Sequence, residues 1–566
     1  MSSEKTTSTA LAYLALLADR GIEYIFANGG TDFAPIVEAY AQGAADGMKL
    51  PQPIVATHEN LAMSMAHGYT VVSGKIAAVM VHVSVGTANG ICGVLNANRE
   101  NVPILFTAGR TPVYEDSTLG SRDSAIHWGQ EMFDQAGMLR EVVKWDYELR
   151  SGRQAATVID RAISIAMTEP KGPVYLTLPR EVLAEPVPAS VMKEPRRPPA
   201  RPARPDEAGM EDAARLLLAA RSPLVIAGNS GREVAAAEAL GVFAKRFGVP
   251  VVQSRGRYLA LAADNPMHVG YEPGPFLKDA DLVIVLDADV PWVPKSVTLR
   301  ADAKVIHVAA DPHFSHIPIR GFPSDLTLTG MPLAFIQDLT RLLNGKVKTE
   351  EIERRRKSAA DARAALDSKR RDVIARAKDL TPIHPAWVAH CISEAKDDDT
   401  LVFNEYTLNI DHCAFNKPGT FFASSSASGL GWGMGAALGG KLASPDKTVI
   451  ATLGDGSYLF ANPVTGHYAS SDNNLPILTI VMNNGSWNAV RKATTMVYPE
   501  GAASRSNASL ISELAGLPAF EQVCQASGGY GERVTDPAEL PAAIARALKE
   551  VRAGRQALLN VICRAP

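Results

Sequence analysis

Residues 448–453 (TVIATL) and 477–482 (ILTIVM) are short apolar runs rich in β-branched residues, and the polar stretch 462–471 between them reads as a helical crossover. A strand, a crossover helix and a second buried strand make a parallel pair, which directs the chain towards an open α/β sheet. Ligand sites of such sheets lie at the carboxyl ends of the strands. There the first run delivers Gly454, Asp455, Gly456 and Ser457, and the second delivers Asn483 and Asn484. Glycine lets backbone amides approach phosphate oxygens, Asp455 offers a carboxylate oxygen to a hard cation, and Ser457 adds a hydroxyl. With an amide oxygen from Asn484, a main-chain carbonyl and two phosphate oxygens, the set nearly completes the octahedron that Mg²⁺ demands. A lone Gly-Asp-Gly is an ordinary turn; Asn-Asn at the end of the next strand makes the pair a metal and diphosphate site.

This segment is similar to the thiamine diphosphate motif. The chain resembles the family of benzoylformate decarboxylase, acetolactate synthase and pyruvate oxidase along nearly its whole length. The motifs nearest to benzoylformate decarboxylase are Asn404-Glu405-Tyr406-Thr407, Ser428-Gly429-Leu430-Gly431 and Met482-Asn483-Asn484-Gly485-Ser486-Trp487. The resemblance implies thiamine diphosphate and Mg²⁺ (or Ca²⁺), with Asp455, the Asn484 side chain and the Ser486 carbonyl as metal ligands. It also implies cofactor contacts from Asn404, Glu405, Thr407, Ser428, Gly429, Gly454, Gly456, Ser457 and Trp487, with Leu430 as the apolar residue that bends the two rings into a V.

The N-terminal half carries the matching activation group. Thr57-His58-Glu59-Asn60 follows an apolar strand (53–56) and opens a helix (60–69) in which Ala62, Met65, Ala66 and Tyr69 fall at packing positions. It resembles the site where the family sets a glutamate against the aminopyrimidine ring. A carboxylate in such a partly apolar pocket has its pKa raised towards the range useful for proton transfer. A first-turn glutamate also suits a helix N-terminus for structural reasons alone, and it is the position relative to the other motifs that favours a cofactor role for Glu59.

Further candidates line the substrate side. His82 ends the strand 76–83 and precedes a small-residue turn into a helix; the resemblance makes it an acid-base group, which an imidazole titrating near neutrality suits, and a strand-capping role is the alternative. Asn28-Gly29-Gly30-Thr31 follows the first strand (22–26) and resembles a substrate-binding loop in which Thr31 keeps a hydroxyl, although Asp32 and Phe33 depart from the polar residues expected there. In His127-Trp128-Gly129-Gln130-Glu131, Gln130 resembles the active-site glutamine of acetolactate synthases and pyruvate oxidases. His127 is a second polar candidate, and Trp128 is read as a loop anchor. Trp487, Asn488 and Val490 are expected to wall the pocket.

With 566 residues, the chain has room for three domains. Seven prolines in 186–205 mark an extended surface connector, and 347–379, rich in Ala, Arg, Lys and Glu, reads as an exposed helix. Short strands at 223–227, 281–286 and 304–309 between helical patterns indicate another doubly wound sheet. The expected organisation is thus three doubly wound parallel-sheet α/β domains. They are an N-terminal pyrimidine-binding domain (1–185), a Pro-rich linker (186–208), a middle Rossmann-like domain (209–345), a charged helical linker (346–380) and a C-terminal thiamine diphosphate and Mg-binding domain (381–566). In the middle domain Gly228-Asn229-Ser230-Gly231 is not a dinucleotide fingerprint, and Asp287-Ala288-Asp289-Val290-Pro291-Trp292 lacks the arginine-bearing glycine turn of FAD-binding relatives, which argues against FAD.

A net charge of −3 with mixed signs gives no basic face for nucleic acid and no polybasic run for a membrane. Five scattered cysteines without a Cys-x-x-Cys pair fit a reducing compartment, so the protein is expected in the cytoplasm. The apolar patch 11–17 reads as an amphipathic first helix rather than a signal peptide. The resemblance implies polarity inversion at the thiazolium carbon, chemistry that the cofactor itself carries. The expected activity is that of a non-oxidative 2-oxo acid decarboxylase or carboligase. The alternatives are an acetolactate synthase-like transferase, with or without FAD, and a cofactor-binding paralogue without catalysis. Because Glu59 lies in the first domain and the metal motif in the last, the family's pattern implies a homodimer or homotetramer with active sites between subunits.

Overall fold

The computed structural model describes residues 5–254, 256–506 and 510–564. The chain enters through β1 (Thr6–Ser8) and builds a first sheet from β2 (Tyr24–Ala27), β3 (Gln52–Val55), β4 (Ala77–Val81), β5 (Ile104–Arg110), β6 (Asp146–Glu148) and β7 (Val174–Pro179). It then returns as β8 (Pro186–Pro188), which pairs antiparallel with β1. A middle sheet holds β9 (Pro223–Ala227), β10 (Val251–Gln253), β11 (Leu282–Leu286), β12 (Lys304–Ala309) and β13 (Leu326–Thr329). The third holds β14 (Leu401–Glu405), β15 (Phe421–Ala423), β16 (Val449–Gly454), β17 (Leu478–Asn483), β18 (Tyr530–Val534) and β19 (Ala557–Ile562). Strand orders are β3-β2-β4-β5-β7-β6, β10-β9-β11-β12-β13 and β15-β14-β16-β17-β19-β18, and the pairs within all three sheets are parallel. The expected three-domain α/β architecture is therefore present. Central strands such as β4, β9 and β11 are buried along their whole length, as parallel sheets covered on both faces require.

The first and third sheets share one strand order, and the helices that precede their third strands pack on each other. Glu59–Ser73 lies between β3 and β4, and Trp432–Ala443 between β15 and β16. Their backbones touch where glycine permits: a Cβ on Gly68 would overlap the Ala436 carbonyl, and one on Gly439 the Met65 carbonyl. A buried ionic clamp adds the middle domain to this pair. Arg257 Nε lies 2.7 Å from Glu100 Oε1 and its Nη2 3.2 Å from Asp289, while the Ser426 amide donates to Glu100 Oε1 at 3.4 Å.

Two local expectations change. The first helix, Thr9–Asp19, is buried on nearly every side, Leu11, Tyr13, Leu14, Leu16 and Leu17 included, because it contacts the helices Ala34–Ala45 and Ala155–Met167 and the β1–β8 ribbon. A helix apolar all round belongs in a core rather than on its surface. The proline-rich segment is not extended from its start. Pro186 and Pro188 fit a ribbon edge, where a missing amide proton is tolerated, and Val187 and Val191 are buried, the latter in a 3₁₀ turn (Ala189–Lys193). The chain becomes an exposed connector only over 194–204. The charged segment forms the long helix Thr349–Ala377, whose buried residues are Arg355, Ala359 and Ala377. Among the described residues, no helix is long and apolar enough to cross a membrane.

Candidate active site

Parallel pairing of β16 and β17 sets Gly454 level with Met482, so the turns after these strands meet. Asp455 is buried there, and its carboxylate collects three amides: Gly456 N at 2.8 Å on Oδ1, and Asn484 N at 3.1 Å and Gly485 N at 2.6 Å on Oδ2. Burial pushes its pKa up and these amides oppose the rise. Gly485, at φ +65°, makes the turn that returns its amide to the carboxylate. Ser486 Oγ donates to Asn484 Oδ1 at 2.7 Å, and the Ser486 carbonyl accepts from Asn488 N at 2.9 Å. A carboxylate, an amide oxygen and a main-chain carbonyl thus lie on the two adjoining turns, oxygen donors of the kind that Mg²⁺ or Ca²⁺ prefers. Among the described residues, no group of three or more His, Cys, Asp or Glu side chains could hold a metal. The Trp487 indole lies over Gly456, where any Cβ would overlap it. Ser457 sits in the first turn of the short helix Asp455–Phe460. Asn488 and Val490 begin the helix Asn488–Val497, with Val490 exposed.

Around this edge the 404–407 and 428–431 turns close in. Asn404 knits its own turn, accepting from the amides of Thr407 at 3.1 Å and Leu408 at 2.9 Å. Thr407 lies beside Gly454, and its hydroxyl is buried with no partner among the described residues. Such an orphaned donor fits an anionic ligand, and the open glycine backbone beside it fits a phosphate. Glu405 turns the other way. Fully buried, it accepts from Gly431 N at 2.8 Å and Gly433 N at 2.6 Å, capping the helix Trp432–Ala443 instead of facing open space. Burial pushes its pKa to about 7 against those amides. Ser428 and Gly431 hold positive φ values of +58° and +83°. The Gly429 peptide is fixed from the first domain, Asn96 donating to its carbonyl at 2.9 Å and accepting from its amide at 3.1 Å, and Asn60 Nδ2 donates to the half-buried Leu430 carbonyl at 3.4 Å. A cleft of ≈ 610 Å³ between the middle and third domains reaches Ser428 and Tyr406 and is walled by Arg257 and Trp292.

The carboxyl edge of the first sheet gathers the other candidates. Glu59 is the half-buried first residue of its helix and accepts from Asn89 Nδ2 at 2.5 Å. His58 caps the helix, its Nδ1 accepting from Asn60 N at 3.2 Å. His82, directly after β4, places Nδ1 2.5 Å from Asp32 Oδ1 and Nε2 3.0 Å from Gln130 Nε2. The hydrogen bond that the imidazole donates to Asp32 raises the His82 pKa despite partial burial. Asn28, Gly29, Gly30 and Thr31 form the turn after β2, and Gly30 packs so close to the imidazole that a Cβ would overlap it. His127 is buried in the loop that carries Gln130. Its Nδ1 accepts from Asp123 N at 3.3 Å, and burial, reinforced by Arg180, lowers its pKa. Trp128 on the same loop is half-exposed and stacks with Arg122 at 5.0 Å. Asp32, Asn89 and Asn96 escaped the reading of the sequence. The only trace of Asp32 was a departure from a polar pattern, since its partner lies fifty residues away.

The chain matches the models described as thiamine pyrophosphate enzyme N-terminal TPP binding domain over residues 6–138, central domain over 210–339 and C-terminal TPP binding domain over 406–561. The chain belongs to the thiamine pyrophosphate enzyme family. It is a thiamine diphosphate-dependent enzyme of the lyase or transferase type, homologous to benzoylformate decarboxylase and acetolactate synthase. It is 26% identical over 499 residues to benzoylformate decarboxylase of Pseudomonas aeruginosa, covering 84% of this chain and 86% of that one. It is 24% identical over 566 residues to acetolactate synthase isozyme 3 large subunit of Escherichia coli, covering 96% and 93%. The crystal structure of benzoylformate decarboxylase from Polynucleobacter necessarius shares the fold with a TM-score of 0.80, 19% identity and 99% coverage of both chains.

Proposed function

We propose that the chain is a Mg²⁺-dependent, non-oxidative 2-oxo acid decarboxylase with carboligase capacity. The observation that carries this reading is His82, an imidazole held by Asp32 on one nitrogen and facing Gln130 with the other, on the sheet edge that also bears Glu59. Asp455, Asn484 and the Ser486 carbonyl would hold the metal. Thr407, Ser428, Gly429, Gly454, Gly456 and Ser457 would receive the diphosphate, and Leu430 would support the rings. Bound there, thiamine diphosphate supplies a thiazolium carbon that accepts and releases acyl units. Glu59 would hold a proton at its carboxylate, with Asn89 fixing the oxygen that is not protonated. His82 would give and take a proton at Nε2, Gln130 keeping that nitrogen in place. The turn from Asn28 to Thr31, together with Trp487, Asn488 and Val490, would bound the substrate, with His127 buried in the loop that carries Gln130.

Five free cysteines, four of them buried, support a reducing cytoplasmic setting. The same protein is proposed to work as a homodimer or homotetramer, a reading supported by large apolar side chains exposed on the first and third domains. An acetolactate synthase-like transfer is the second reading, favoured by Gln130 on the same edge. The test is a panel of aliphatic, aromatic and basic 2-oxo acids with thiamine diphosphate and Mg²⁺, following carbon dioxide release and condensation products. Release from at least one acid, lost on the order of 100-fold in Glu59→Gln, is expected. Release of carbon dioxide only when a second 2-oxo acid is consumed would favour the transferase. No turnover of any donor, or full activity in Glu59→Gln, would refute the proposal.

A further inference from the structure

Asp32 has no part in the sequence motifs, yet the fold builds a seat for it. Its side chain is buried at the turn after β2, with Oδ1 2.5 Å from His82 Nδ1 and Oδ2 3.4 Å from the amide of Val83. A Cβ on Gly109, in β5, would overlap this carboxylate, and a Cβ on Gly30 would overlap the imidazole. Val83, immediately after His82, holds φ +32°, a conformation that β-branched residues avoid, and its amide is one that Asp32 accepts. Two glycines and a strained valine thus hold one carboxylate–imidazole pair, an arrangement that a purely structural hydrogen bond does not need.

The far side of the ring is equally specific. Gln130 Nε2 lies 3.0 Å from His82 Nε2, and Ser84 Oγ donates to the Gln130 carbonyl at 2.9 Å, fixing the backbone from which the amide hangs. Gln130 Oε1 is buried without a partner among the described residues. An imidazole with its neutral-state proton on Nδ1 accepts from the Gln130 NH₂, whereas a protonated ring presents Nε2–H and requires an oxygen. Rotation of the amide by a half turn supplies that oxygen; the assignment of O and N in a side-chain amide follows the hydrogen-bond network.

We propose that Asp32 is the positioning residue for His82, fixing the tautomer with the proton on Nδ1, and that the Gln130 amide turns over to serve either charge state of the ring. The inference rests on the reading of His82 as a proton-handling group. The ionisable groups that bear on the imidazole are Asp32 from the turn after β2, Glu59 from the helix after β3 and His127 from the loop of Gln130, and the first two favour its charged form.

The test is ¹⁵N NMR of histidine-labelled full-length protein, with His82→Gln to assign the signal, followed across pH. Neutral His82 is expected to be protonated on Nδ1 and to titrate above the ordinary value of about 6.5. Asp32→Asn should lower that midpoint by about one unit or more and shift the tautomer. Gly109→Ala, which crowds the carboxylate, should move both in the same direction, and Gly321→Ala, with open space around it, should move neither. In turnover assays with thiamine diphosphate, Mg²⁺ and a 2-oxo acid, the acid limb of the kcat/KM profile of Asp32→Asn should move with the His82 midpoint. A role confined to folding would lower activity without moving that limb. Neutral wild-type His82 protonated on Nε2, or a midpoint and tautomer unchanged in Asp32→Asn, would overturn the assignment. The wild-type measurement decides even where the variant does not fold. Absence of 2-oxo acid turnover alongside the expected tautomer would refute the proposed function and leave the Asp32 assignment standing.

Discussion

At the scale of single residues, the candidate site is a set of buried oxygens whose protonation the fold controls, and Glu405 is the clearest case. It has no solvent contact, and among the described residues its hydrogen-bond partners are backbone amides at the start of the helix Trp432–Ala443, along with Ser457. Burial outweighs those donors and leaves its pKa at about 7. A pKa raised above the unfolded value means that the folded state binds the proton more tightly. The corresponding stability is fully present below about 4.3 and is lost as pH rises through 7. The change across that window is on the order of 3 kcal/mol. Glu405→Gln should flatten this decline, and urea denaturation of both proteins at pH 5, 6, 7 and 8 without added cofactor reads it. A difference in stability that stays constant across the four pH values would sink the idea. Nothing in Asn404-Glu405-Tyr406-Thr407 distinguishes a carboxylate turned to a ligand from one turned to a helix. The direction depends on where Gly431 and Gly433 lie, and likewise His82 could be read as a candidate while Asp32, its partner, could not.

At the scale of elements, the strands were legible because buried parallel strands are continuous apolar runs, and the expected runs at 448–453 and 477–482 differ from β16 and β17 by one residue at each end. Other features depend on contacts across the sequence, which no local pattern carries. The Thr9–Asp19 helix is buried all round, β8 lies within the proline-rich segment, and the helices Glu59–Ser73 and Trp432–Ala443 meet through glycines. That last contact makes a sharp prediction. A Cβ on Gly439 would overlap the Met65 carbonyl, which is backbone and cannot rotate aside. Gly439→Ala gains helix propensity of about 1 kcal/mol but must push two helices apart. A net loss of about 1–3 kcal/mol is expected by urea denaturation, against no loss for Gly321→Ala, which has open space around it. A Gly439→Ala protein as stable as the parent would show that the helices do not approach this closely.

At the scale of the whole molecule, the clamp of Arg257, Glu100 and Asp289, touched by Ser426, binds residues of all three domains and sets the first and third sheets in a fixed relation. The first and third domains both expose large apolar side chains. On the first domain they are Val113, Leu119, Trp128 and Phe133, the last fully exposed. On the third they are Leu510, Met496 and Val497, the last two at the end of the helix Asn488–Val497, in which no residue is buried, and Tyr498 directly after it. Isolated apolar residues on a surface need no explanation, but groups on the two domains that carry the site residues are the faces that the proposed homodimer or homotetramer would cover. A second copy of the chain is the occupant that would bring Glu59, His82 and Gln130 of one subunit to Asp455 and Asn484 of the other. Sedimentation equilibrium at micromolar concentration should give a dimer or tetramer. Met496→Glu combined with Val497→Glu places two charges where desolvation is required and should shift the protein towards monomer, with activity falling in step. A wild-type protein that turns over substrate while sedimenting as a monomer would require a complete site within one chain, and the shared surface would lose its catalytic meaning.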